Sequence, residues 1–176
     1  FNLMTTIALA GTLTALGLTL GISWAFFEIA EFSGYASEES FVLPFLAESL
    51  DVRGLLLGGT IIAALGALDD VTVTQTATVL ELSRRNSALS SGQLAASALR
   101  VGREHIASTV NTLLLAYAGS SIPLLLLFAV SKQSLADVAN SEVIAIELVR
   151  TLCGSIGLVA ALPITTYLAA FLTRIS

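Results

Sequence analysis

The sequence predicts an all-α integral membrane bundle of about four transmembrane helices, with a break or kink near residues 119–123. Three observations predict it. Hydrophobic residues make up 55% of the 176 positions and charged residues only 12%, where a soluble domain carries about 25% charged. Mean hydropathy is +0.88. The apolar residues also gather into long runs, at about 3–27, 54–82, 106–130 and 142–172. Each is long enough for the ~20 residues that a helix needs to cross a bilayer. The chain is expected to form one transmembrane domain over 1–176. Because Phe1 leads straight into an apolar run, this domain is read as the C-terminal part of a longer protein.

Composition also sets aside several functions. The eight basic residues form no patch of the kind that grips nucleic acid. One cysteine and one histidine make no internal disulfide and no zinc set. No P-loop, GxSxG or HExxH motif occurs. The chain is therefore expected not to be an enzyme, and no cofactor is expected. A metal at the polar residues is left open.

The first run, Leu3 to Phe27, is nearly all apolar and holds Gly17 and Gly21 at the GxxxG spacing used for close helix packing. Trp24, Phe26 and Phe27 cluster at its end, where an aromatic interface belt belongs. An acidic loop follows, with Glu28, Glu31, Glu38, Glu39, Glu48 and Asp51 against Arg53. Its segment FVLPFLAESL is too short to span and is expected at the membrane interface.

The second run, GLLLGGTIIAALGALDDVTVTQTATVLEL, is the one the chain is organised around. As a continuous helix it places Asp70 about 25 Å from Arg53 and about 21 Å from Arg84, close to mid-membrane. An ionised carboxylate there costs about 2.5–3.5 kcal/mol on insertion scales. It must be protonated, paired, wet or turned inward. At 100° per residue, Gly59, Ala63, Gly66, Asp70, Ala77 and Glu81 share a narrow face. Small residues admit a neighbouring helix, so this face is expected inside the bundle, carrying Asp70 with it. Asp69 lies about 100° round. The β-branched stretch after Asp70 has weak helix propensity, and Asp is a good N-cap. A helix broken near Gly66 to Asp70, as in transporters, is thus an open alternative to an unbroken one.

SRRNSALSSG follows, and Arg84, Arg85, Arg100 and Arg103 put half the basic residues around it. By the positive-inside bias this connection is cytoplasmic, which leaves the acidic loop outside and both ends of the chain cytoplasmic. Gln93 to Ala118 reads as one helix, with Arg100, Glu104, Ser108 and Asn111 on one face. GSSIP then interrupts it, because Pro123 lacks an N–H and disfavours helix at Ile122. The remainder, LLLLFAV, either continues a kinked span or starts a re-entrant piece, and both leave Lys132 outside. In the last run Ser141 and Glu142 offer an N-terminal cap. Pro163 allows a bend.

The candidate polar site comprises Asp70, Asp69, Thr74 and Asn111. Thr74 is expected as a partner one turn along and Asn111 as the neighbour across the bundle, with no basic side chain at that depth. Glu81, Arg103, Glu104, Glu147 and Arg150 are candidate gate or ion-pair residues. Glu81 is within reach of the arginine group, and Glu147 and Arg150 are spaced to pair at i,i+3. His105, near the inner interface, reads as a snorkelling or hydrogen-bonded side chain, or as a proton relay.

The strings GALDDVTVTQTATVLEL, VGREHIASTVNTLLLAYAGSSIPLLLLF and EVIAIELVRTLCGSIGLVAALPITT resemble the YibE/F family of bacterial multi-pass membrane proteins. The resemblance covers Gly54 to Thr166. It implies a longer parent with more spans and a place in the bacterial cytoplasmic membrane. It also implies an acid at Asp70, whereas Asn often stands in the family where this chain has Asp69. Together these readings point to a permease or a component of an ion- or proton-coupled transporter. A non-transporting membrane scaffold or assembly subunit is the alternative, and an intramembrane enzyme ranks third. Expected partners are the lipid bilayer, the remaining transmembrane segments of the parent chain and, in a homo-oligomer, a second copy.

Overall fold

The computed structural model describes residues 3–35, 38–46, 50–131 and 134–175. All regular structure among them is helical: α1 (Leu3–Ile29), α2 (Glu38–Leu46), α3 (Val52–Arg85), α4 (Ser91–Ser120), α5 (Ile122–Ser131), α6 (Leu135–Ala139) and α7 (Glu142–Ile175). Among these residues α1, α3 and α7 are each long and apolar enough to cross a membrane, and α4 with α5 makes a fourth if the bent pair is one span. The long helices form a bundle. α1, α3 and α7 pack on one another, and α4 lies against α7 and α3. The expectation for Lys132 falls outside the described residues.

Local chemistry explains the helix ends. The Asp51 side chain accepts from the Gly54 N–H at 2.9 Å and starts α3. Arg84 and Arg85 occupy its last turn, where positive charge complements the helix dipole. Ser90 and Gln93 form a reciprocal capping box that starts α4. The five-residue connection 86–90 is short, so α3 and α4 must lie antiparallel side by side. α7 is anchored differently from the expected cap. The Ser141 hydroxyl donates to Val138 O at 2.7 Å. Glu142 instead accepts from the Ser33 N–H at 2.7 Å and the Gly34 N–H at 3.0 Å, lacing α7 to the α1–α2 loop. Gly34 sits at φ +90 there, a conformation that glycine adopts without strain.

α4 and α5 meet at Ser121 with a bend of 46°. Pro123 supplies no donor to the preceding turn. Ser120 Oγ and Ser121 Oγ both donate to Tyr117 O, which also accepts the Ser121 N–H, and close the last turn of α4. Beyond the bend α5 buries none of its residues.

α3 runs without a break from Val52 to Arg85, so the discontinuous alternative does not hold. The β-branched stretch stays helical because tertiary packing outweighs propensity. Val71 and Thr72 are buried, and Thr76 Oγ1 bonds back to Thr72 O at 2.7 Å. Pro163 likewise lies within an unbroken α7.

The face of α3 that turns inward differs from the one expected. Thr60, Ala64, Leu68, Val71, Thr72, Gln75, Thr76 and Val79 are buried. Gly59, Ala63, Gly66, Asp70 and Glu81 are exposed, and Ala77 is half-buried. The threonines win the interior because a hydroxyl that bonds its own helix carbonyl presents mainly a methyl group to its neighbours. The GxxxG expectation fails in the same way. Gly17 and Gly21 face open space. Close approach occurs instead at Gly11 against Thr165, at Gly157 against Thr19, and at Gly102 against Gln75 and Leu162, where an added Cβ would overlap these neighbours.

A polar layer crosses this interior. Thr12 and Thr72 share a hydroxyl–hydroxyl hydrogen bond between α1 and α3. Gln75 Nε2 donates to Ala98 O at 3.1 Å and to Thr166 Oγ1 at 2.7 Å, tying α3 to α4 and α7. Of the aromatic cluster ending α1, Trp24 and Phe26 are exposed as a belt requires, while Phe27 is buried and packs edge-on against Phe32. α2 presents Phe41, Val42 and Phe45 outward.

Candidate functional site

The antiparallel register of α3 and α4 builds the site. Ala88 marks the turn, with Asp70 18 positions before it and His105 17 after it. The two side chains therefore come level, and Asp70 Oδ2 lies 3.6 Å from His105 Nε2. This is an ion-pair distance and too long for a hydrogen bond. Nε2 is enclosed and has no hydrogen-bond partner. The Asp70 side chain is 65% exposed and that of His105 40%, so the pair lies on the outside of the bundle, at the α3–α4 seam.

This placement corrects three expectations. Asp70 is not in the bundle interior, because the small-residue face that carries it is the outward one. A basic partner does exist at its depth. His105 faces it, and Arg103 and Arg100 lie only about 3 Å and 7.5 Å further along α4 by helical rise. Asp70 thus faces His105 rather than standing without a basic neighbour. Finally, Asn111 is not its neighbour. It lies six positions beyond His105, about 9 Å along the helix, and is exposed.

The other candidates distribute as follows. Asp69 is exposed and lines a shallow groove of about 200 Å³ between α1 and α3, with Met4, Ala8 and Val73. Thr74 is exposed, and its carbonyl accepts from Thr78 Oγ1 at 2.9 Å. Arg103 and Glu104 are exposed side chains of α4. Glu81 pairs with Arg85 Nε at 2.7 Å on the helix surface. Glu147 and Arg150 form the i,i+3 pair at 2.9 Å, with side chains 27% and 20% exposed. Glu147 Oε2 and Arg150 Nε are buried without partners. Among the described residues no group of three or more His, Cys, Asp or Glu is placed to hold a metal ion.

The outer surface is two-sided. The outward residues of α1 and α7 include Leu9, Leu13, Leu18, Leu152, Ile156 and Phe171. The outward residues of α4 include Arg100, Glu104, Ser108 and Asn111, the face that the helical spacing groups together, along with Arg103, Val101, Leu114 and Leu115. Lipid solvates the first side well. The second needs water or protein against it, since unsolvated polar groups are costly in hydrocarbon.

Gln75, Thr166, Thr12 and Thr72 were not among the sequence candidates. Neither was the Asp70–His105 contact, although counting outward from the short turn would have found it.

The family model for YibE/F-like proteins matches residues 1–175. No curated protein and no solved structure matches the chain. The match extends through α1, beyond the segments whose motifs carry the resemblance. With the family match over nearly the whole chain and helices long and apolar enough to span, the chain is a membrane protein that belongs to the YibE/F-like family.

Proposed function

We propose that this chain forms part of a permease or of an ion- or proton-coupled transporter, with Asp70 and His105 as the pair that handles the ion or proton. One observation carries the reading. A carboxylate and an imidazole from adjacent helices meet on the outer surface of the bundle. Both groups can change protonation, and a carboxyl that is neutral when dry and charged when wet couples proton or cation movement to a conformational change. The group facing Asp70 is an imidazole and not a second carboxylate, which favours this reading over an intramembrane aspartyl protease. The orientation fits a bacterial cytoplasmic membrane with both ends of the chain inside. Leu3 lies beside Glu81 and Arg84, and Arg174 Nη1 reaches Ser87 O at 3.1 Å. The basic connection and both chain ends therefore share one end of the bundle.

The exposed small-residue stripe of α3 favours a second reading, a scaffold whose α3 face receives another helix. That helix would come from the rest of the parent chain or from a second copy. Flux separates the two. Proteoliposomes containing the full-length protein would be assayed for proton and monovalent-cation movement with pH- and cation-sensitive dyes. Transport predicts flux that Asp70→Asn and His105→Gln abolish while insertion and folding persist, with a milder loss for Asp69→Asn. Wild-type rates in Asp70→Asn would show that the acid has no coupling role. The absence of flux in the wild type would favour the scaffold.

A further inference from the structure

We propose that Glu142 and the α1–α2 loop form a releasable clasp, which holds shut the end of the bundle opposite the basic α3–α4 connection and lets go to admit water there. The polar attachment converges on one carboxylate. Glu142 Oε1 accepts from the Ser33 N–H at 2.7 Å, the Ser33 hydroxyl at 2.8 Å and the Gly34 N–H at 3.0 Å, and Oε2 lies 2.9 Å from the same hydroxyl. Among the described residues, the hydrogen bonds that join residues 30–35 to α7 all end on this side chain. α3 is tied to α1 separately, through Arg53, whose Nη2 donates to Phe27 O at 2.7 Å and lies 3.3 Å from Glu28 Oε1. Ser33 is exposed, so water can replace the loop on the Glu142 carboxylate, and the net worth of the bonds is the modest difference between the two.

The clasped loop carries backbone strain. Glu31 holds φ +53, a left-handed conformation uncommon for a residue with a Cβ. Such outliers persist only where the surrounding contacts impose them. Gly34, at φ +90, is pressed on α3, where an added Cβ would come within 3.0 Å of the Arg53 backbone. Behind the clasp lies an apolar plug of Phe27, Phe32 and Ile146, all buried, with Leu56, Leu57 and Val149 packed on it. Phe32 belongs to the loop itself and meets Phe27 edge-on at 5.4 Å. Letting go of Glu142 therefore frees the loop to withdraw Phe32, which removes one wall of the plug and uncovers Ile146. The clasp is separate from the Asp70–His105 pair and stands whether or not the chain transports; in a transporter it is the gate at this end.

Thiol labelling of the purified full-length protein in lipid nanodiscs tests the clasp. The reporter is Ile146→Cys in a background without other cysteines, treated with a hydrophilic maleimide. With Glu142 intact the reporter is expected to react slowly but to completion, through local opening. Glu142→Leu is expected to speed the reaction on the order of tenfold, because bonds to a charged acceptor are lost. Glu142→Gln keeps a carbonyl oxygen for the Ser33 and Gly34 N–H groups and is expected to fall between the two. Gly34→Ala breaks the seat from the loop side and is expected to match Glu142→Leu. No reaction with Glu142 intact overturns the proposal, because the clasp then never releases, and that measurement needs no clasp variant to fold. Equal rates with Glu142 and with Glu142→Leu overturn it as well, because the carboxylate then does not hold this end shut.

Discussion

The polar residues of this bundle occupy two regions that obey different rules. Inside α1, α3 and α7, the threonines and Gln75 are almost all satisfied by the protein itself. Thr12 bonds Ala8 O and Thr72, Thr19 bonds Ala15 O, and Gln75 bonds Ala98 O and Thr166. Among the described residues Ser23 Oγ and Thr165 Oγ1 are buried there without a hydrogen-bond partner, as are Glu147 Oε2 and Arg150 Nε of α7. On the outer α3–α4 face, Asp70 meets His105 only at ion-pair distance, and Arg103, Glu104, Ser108 and Asn111 present their side chains outward. The inner set is mostly satisfied and holds helices together. The outer set is incomplete and requires something beyond this chain, whether water or a partner. Polarity alone therefore does not mark function in a membrane bundle.

The largest break in this contrast should come from the interior. Gly157→Leu drives a side chain into Thr19. Overpacking of this kind costs about 1–3 kcal/mol, seen as a lower midpoint in thermal or SDS-titrated unfolding. Gly17→Leu enters open space and should stay within about 0.5 kcal/mol of wild type. A matched loss at both glycines would mean that α1 also packs tightly through its outer face. Next in size is Gln75→Leu, which removes two interhelical hydrogen bonds. At about 0.5–1.5 kcal/mol per bond, the midpoint should fall by the equivalent of about 1–3 kcal/mol. A small stability effect is also expected for Asp70→Asn. The pair is exposed and longer than a hydrogen bond, so its loss should cost less than about 1 kcal/mol. A large loss there would place Asp70 with the structural residues.

Much of this architecture was legible in the sequence, and the failures have physical causes. Hydropathy located the long helices, and the missing N–H of Pro123 located the bend near Ser121. Side-chain direction was harder. The small-residue rule sent Gly59, Gly66 and Asp70 inward, yet the Thr60–Val79 face carries more packing surface and its hydroxyls bond their own helix. The GxxxG pair of α1 misled for a related reason. Closeness depends on what stands opposite, and Thr19 and Thr165 stand opposite Gly157 and Gly11. The partner of Asp70 was missed because the apolar run was measured alone, without the antiparallel register that brings His105 level with it.

The transport reading requires that the polar face of α4 contacts water while the α1 face contacts lipid. Single cysteines at Ser108, Asn111, Leu13 and Leu20, in a background lacking Cys153, would be tested for reaction with a hydrophilic thiol reagent in native membranes. The account predicts fast reaction at Ser108 and Asn111 and little or none at Leu13 and Leu20. Equal protection at all four positions would contradict it and would mean that the polar face is sealed against another protein segment.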